Sequence, residues 1–157
     1  MPVDSSSFNI LEQLVSDQIA RSGGTTAPRL LVRRQSIDVS SFGQWFTGVA
    51  DRPDYPIKEL LQSREATDWA PFFHLDSRAN LVEREMIELE FDRYCELRRD
   101  SHQQIVFSFS ASVPTDEGHM LYCTADRGFL WAWGFLCTYS GSFESPTTLS
   151  IVNVWRS

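Results

Sequence analysis

Lysine is almost missing from this chain: of its 14 basic residues 13 are arginine, and Lys58 stands alone. Such a skew is a matter of genome composition first and a sign of anion recognition only second. Basic residues are also outnumbered, 14 against 21 acidic, for a formal net charge of −7. Phosphate contact needs a basic face, so no nucleic-acid partner is expected. A basic protein partner suits the acidity, although plain solubility accounts for it as simply. Cysteine is scarce as well. Cys95, Cys123 and Cys137 are odd in number and lack CxxC spacing, which points to reduced thiols. No window is long and apolar enough for a membrane-spanning helix, and the first twenty residues lack the charged start, apolar run and cleavage site of a secretion signal. The expectation is a cytoplasmic protein with no membrane partner.

The familiar chemical motifs are missing too. There is no GxSxG elbow, no glycine-rich phosphate loop and no HExxH. His74, His102 and His119 fall in different segments, and none stands at metal-ligand spacing from another histidine or a cysteine. Neither a metal nor another cofactor is expected, and no catalytic residue is nominated. Asp116 and Glu117, with Asp126, read as turn residues.

What the chain does have is aromatic residues, five Trp and eleven Phe among them, which a disordered chain would not carry. They are densest in Phe129 to Tyr139. There Phe129, Trp131, Trp133, Phe135, Cys137 and Tyr139 alternate with Leu130, Ala132, Gly134, Leu136 and Thr138. Period-two alternation of this kind makes a strand, and apolar residues on both sides make it a central one. Its large rings each remove about 150–250 Å² from water when buried, so both faces need cover.

The flanking segments read as its partners. Ile105 to Ala111, Met120 to Ala125 and Thr147 to Trp155 alternate in the same way, giving a four-stranded antiparallel meander over 105–156. A three-residue turn, Asp126 to Gly128, would set Cys123 opposite Trp131 and keep Cys137 out of disulfide reach. Upstream, Ile10, Leu11, Leu14, Val15 and Ile19 repeat at helical spacing within a helix over 1–24. A weaker strand pattern covers Arg29 to Val39, and Ile57 to Gln62 reads as a short helix opened by Pro56. Trp69, Phe72 and Phe73 look like a plug over the core rather than a ligand cage.

Asn80 to Arg99 carries the clearest helical pattern, within a span of 80–100. Met86, Ile87, Leu89, Phe91, Tyr94 and Cys95 make an apolar face, and Glu83, Glu85, Glu88 and Glu90 crowd its first turns, as the helix dipole favours. The expected fold is therefore a single α+β domain over 1–157, with N-terminal helices packed on the C-terminal meander.

Two function classes follow. The first is a non-catalytic interaction protein, such as an immunity or inhibitor protein, blocking a basic partner with Glu83, Glu85, Glu88 and Glu90. The second is a small-molecule binding protein or enzyme of cone-shaped α+β type, with Phe91, Tyr94, Trp131 and Trp133 lining a pocket. Two copies pairing through the sheet are a further expectation. The 90 residues from Asp68 to Ser157 also resemble small bacterial proteins of unknown function. The likeness rests on Asp68-Trp69 with Phe72, Phe109 with Ser110, Tyr122, Gly128 with Trp131 and Gly134, and the closing Trp155-Arg156-Ser157. It implies no activity.

Overall fold

The computed structural model describes residues 10, 13, 14, 29–40, 43, 46, 48, 52, 55–63, 65–73, 79–82, 104–126, 132–143 and 145–156. Its strands are β1 (Arg29–Arg33), β2 (Ala79–Val82), β3 (Gln104–Phe109), β4 (Val113–Pro114), β5 (His119–Asp126), β6 (Ala132–Gly141) and β7 (Pro146–Arg156). Six of them hydrogen-bond in the order β2-β1-β3-β5-β6-β7, and β4 pairs with the start of β5. β1 runs parallel to both β2 and β3, whereas β3-β5, β5-β6 and β6-β7 are antiparallel. Antiparallel pairings thus dominate a mixed sheet.

This corrects the expected architecture of N-terminal helices on a four-stranded meander. Four strands do follow one another as β3, β5, β6 and β7, but the sheet continues through β1 and β2. Arg29 to Arg33 had only a weak strand pattern, because its pairing is with residues far along the chain, Gln104 to Phe107. Ala79–Val82, where the acidic helix was expected to begin, is strand β2. The remainder of that helix, 83–100, lies outside the described residues, as does most of the helix expected over 1–24, of which Ile10, Gln13 and Leu14 are helical.

The register of the central hairpin also differs from expectation. Ala125 pairs with Trp133 and Cys123 with Phe135, so β6 is shifted by four residues relative to a three-residue turn. Leu121 then faces Cys137, and the two cysteines lie diagonally on one face. Both are nevertheless free thiols and fully buried.

Strand alternation divides the core in two. The first face carries Val32, Ile105, Phe107, Phe109, Leu121, Cys123, Ala125, Trp133, Phe135 and Cys137, in one cluster with Ile10, Leu14, Trp69 and Phe143. Trp69 is the centre of that cover, with ring centroids 4.8 Å from Phe143, 5.0 Å from Phe72 and 5.4 Å from Phe109. Its backbone is held there by the segment that follows β1: Trp69 N donates to Arg34 O at 2.8 Å, and Ser36 N donates to Thr67 O at 2.9 Å. Next to it Arg34 grips Asp68 through two bonds, Nε to Oδ1 at 3.2 Å and Nη2 to Oδ2 at 3.1 Å. The pair is half exposed, so it aligns the segment while contributing at most about 1 kcal/mol. The plug expected of Trp69 and Phe72 is what the packing forms.

The second face carries Val113, Met120, Tyr122 and Leu136, covered by Val39, Phe46, Ile57 and Leu60. Helix α1 (Ile57–Gln62) supplies the last two. Pro56 sets its start with φ −76°, Leu60 N donates to Pro56 O at 3.0 Å, and Ser63 ends it in an extended conformation. Ile57 and Leu60, three apart, therefore share the buried side of a helix only six residues long. A second short helix, α2 (Ala70–Phe73), follows Trp69 directly.

Polar needs on the second face are met internally. Ser110, 2% exposed, sits where β3 gives way to β4; its Oγ donates to Ala111 O at 3.0 Å and accepts from Tyr122 N at 2.8 Å. Trp155 Nε1 donates to the Tyr122 hydroxyl, and the Phe46 ring meets Tyr122 edge-on at 5.1 Å. The indole reaches that hydroxyl by lying across Gly134, its strand partner, where a Cβ would collide with the ring. Glycine is required at 134 by this close approach.

Candidate functional site

Of the residues expected to line an aromatic pocket, Trp133 is in the first-face core and 6% exposed. Phe91, Tyr94 and Trp131, and the four carboxylates Glu83, Glu85, Glu88 and Glu90, lie outside the described residues. Trp133 therefore acts as filling where it is seen. The thiols beside it are equally unreactive in character: burial pushes Cys137 up to about 12 and Cys123 well above its ordinary value, so both stay protonated and are poor nucleophiles.

The structure opens a groove elsewhere, at the end of the sheet where β5 starts. It has a volume of about 370 Å³ and is walled by the turn Thr115, Asp116 and Glu117, by Thr138 and Tyr139 of β6, by Thr148, Leu149 and Ser150 of β7, and by Tyr55. The turn is closed by Thr115 N donating to Gly118 O at 2.9 Å. Gly118 packs against the Tyr139 carbonyl so closely that a Cβ would strike it, which brings the acidic turn down onto β6.

Several of the lining hydroxyls already have partners. Tyr139 Oη and Ser112 Oγ are 2.8 Å apart, and Thr148 Oγ1 and Ser140 Oγ are 2.6 Å apart. The His119 ring lies 5.3 Å from that of Tyr139, and the Phe143 ring meets Tyr139 edge-on, so Tyr139 is anchored on both sides. Tyr55 is held by Arg52, whose guanidinium lies 5.3 Å from the ring centroid and donates from Nη1 to the hydroxyl at 3.2 Å. The two carboxylates differ from all these. Asp116 and Glu117 are exposed and, among the described residues, make no ion pair.

The groove thus offers hydroxyl oxygens, two anionic groups and the aromatic residues Tyr55 and Tyr139. Among the described residues its walls hold no thiol or imidazole, hence no pairing of nucleophile with base. Its chemistry is recognition: ion pairing and hydrogen bonding to a cationic group, with the Tyr55 ring beside them. Among the described residues no group of three or more His, Cys, Asp and Glu side chains could hold a metal ion, and no helix is long and apolar enough to cross a membrane.

Sequence reasoning placed Asp116 and Glu117 in a turn and stopped there. The other walls, Thr138, Thr148 and Ser150, are indistinguishable in sequence from any solvent-facing strand positions. Only the pairing of Thr138 with Ser150 and Ser140 with Thr148, and the return of the chain at Tyr55, bring them together. No protein-family model, curated protein or solved structure matches the chain.

Proposed function

We propose that this is a non-catalytic binding protein that engages a basic partner protein, taking a cationic side chain into the groove between the 115–117 turn and strand β7. The observation that carries the reading is a pair of carboxylates, Asp116 and Glu117, with no ion-pair partner among the described residues, lining one groove with hydroxyls and Tyr55. The net charge of −7 adds long-range attraction for such a partner, strongest at low ionic strength. Exposed ion pairs contribute only about 0–1 kcal/mol each, so the groove's hydroxyls and aromatic residues must supply the rest of the affinity. A protein that blocks a basic partner, as an inhibitor or immunity protein does, would use such a surface.

The test is a titration of the labelled protein with a tetra-arginine peptide and with a tetra-glutamate control, followed by amide chemical shifts. Arginine should shift residues 115–117, 138–139 and 148–150, and the paired change Asp116→Asn with Glu117→Gln should weaken binding several-fold at low salt. Shifts confined to other surfaces, or an unchanged affinity in the paired variant, would remove the groove from the binding reaction.

A further inference from the structure

The two ends of the sheet are treated differently. One is closed by β2, only four residues long, and very short edge strands offer little for another chain to pair with. The other is β7, eleven residues from Pro146 to Arg156. Register shifts lie at both of its ends, opposite Gly134/Phe135 and Ser140/Gly141, and bulges of this kind bend an edge away from pairing. Between them Thr148 to Asn153 pair regularly with β6, a run about 20 Å long. That run is Thr-Leu-Ser-Ile-Val-Asn. It holds no charge, no proline and no lysine, the usual guards of an edge, and its β-branched residues favour the extended state. Among the described residues, no backbone hydrogen bond reaches its outer side.

The same strand walls the acidic groove, through Thr148, Leu149 and Ser150. A chain laid along β7 would run about 4.8 Å from it, so side chains on alternate residues of that chain reach the groove's rim. We infer that the partner binds by strand addition: an extended segment pairs its backbone with Thr148 to Asn153 and sends one arginine or lysine between Asp116 and Glu117. This deepens the reading of the groove and rests on it. Backbone hydrogen bonds supply affinity without regard to sequence, and the acidic groove selects the one residue that must be basic. The neutral edge with carboxylates at one end favours a basic segment over a second copy of this chain, whose own net charge of −7 opposes self-association.

The experiment uses the full chain and the peptide Thr-Val-Arg-Val-Thr-Val, with three companions: alanine in place of arginine, and N-methylation at odd or at even residues. Strand addition predicts that the parent peptide binds and slows amide exchange at residues 148–153. It further predicts that the alanine peptide and one of the two methylated peptides bind at least about tenfold more weakly, since only one edge of the peptide faces β7. If the parent and both methylated peptides bind alike and only the alanine peptide weakens, the groove reading stands and strand addition is overturned. If no peptide binds, while tetra-arginine still shifts the groove, strand addition again fails alone; if tetra-arginine fails too, both fall. Sedimentation of the protein alone adds one further outcome: a dimer whose 148–153 amides are already protected assigns the edge to a second copy and overturns the inference.

Discussion

The two faces of the sheet are built from the same strands, yet they hold together on different terms. On the first face β5 and β6 contribute Leu121, Cys123, Ala125, Trp133, Phe135 and Cys137, and the cover is Trp69 with Phe143. Nearly everything there is shape and apolar area, to which Cys123 Sγ adds a weak contact with Thr124 O at 3.6 Å. On the second face Tyr122 brings a hydroxyl into the interior. That hydroxyl takes a bond from Trp155, Trp155 needs the space over Gly134, and Ser110 secures the Tyr122 amide. Packing tolerates gradual change, whereas a chain of polar dependencies fails at any link. Gly134 is thus constrained as tightly as any large side chain, although it brings no side chain of its own.

Alkaline pH should separate the faces most sharply. Cys123 and Cys137 are raised by burial above an ordinary value of 9.0, and Tyr122 is pushed up to about 12 from 10.0, burial outweighing the opposing indole bond. Groups raised in the folded state contribute stability in full below the unfolded value and lose it as pH climbs toward the folded one. Each thiol should therefore cost about 1.4 kcal/mol per pH unit from pH 9, with Tyr122 adding its share only from pH 10. Urea unfolding at successive pH values checks this, and replacing Cys123 and Cys137 by alanine should move the onset up by about one unit.

Trp69→Ala attacks the cover of the first face alone. It empties the contact among Phe72, Phe109 and Phe143, and should destabilise by about 3–5 kcal/mol in denaturant unfolding. The groove, formed by other residues, should keep its response to tetra-arginine in whatever fraction remains folded. Tyr122→Phe is the smallest change and acts on the second face alone. Losing the hydroxyl should cost about 1–2 kcal/mol and delete the alkaline contribution that begins at pH 10, while leaving that beginning at pH 9 in place. A Tyr122→Phe protein as stable as the parent would show that both faces rest on packing alone.

The strands of the antiparallel part were readable because each writes its burial in its own alternation. Ile105, Phe107 and Phe109 are all fully buried, as are Leu121, Cys123 and Ala125, and the short helix after Pro56 announced itself by proline and by Ile57 with Leu60. Pairings between distant segments left no such mark. Nothing in Arg29–Arg33 states that its neighbours are residues 79–82 and 104–107, and nothing in Ala79–Val82 sets it apart from the helical pattern that follows. Register was lost for a related reason: Asp126-Arg127-Gly128 has the composition of a tight turn, but the pairing of Ala125 with Trp133 is decided by which rings fit the first face. The groove was invisible because its walls are ordinary serine and threonine positions until the strands are aligned.

The place of β1 in the sheet sets an order in time. Arg29 pairs with Gln104, some 75 residues later, and Leu31 and Val32 are buried only once that pairing exists. At a synthesis rate of about 5–20 residues per second, β1 leaves the ribosome several seconds before β3 can receive it. The β5-β6-β7 hairpins, whose partners are adjacent in sequence, close in microseconds once made. Among the described strands the one made first thus waits longest for its partners, about 50 residues for β2 and 75 for β3, whereas β5, β6 and β7 each meet a partner made just before them.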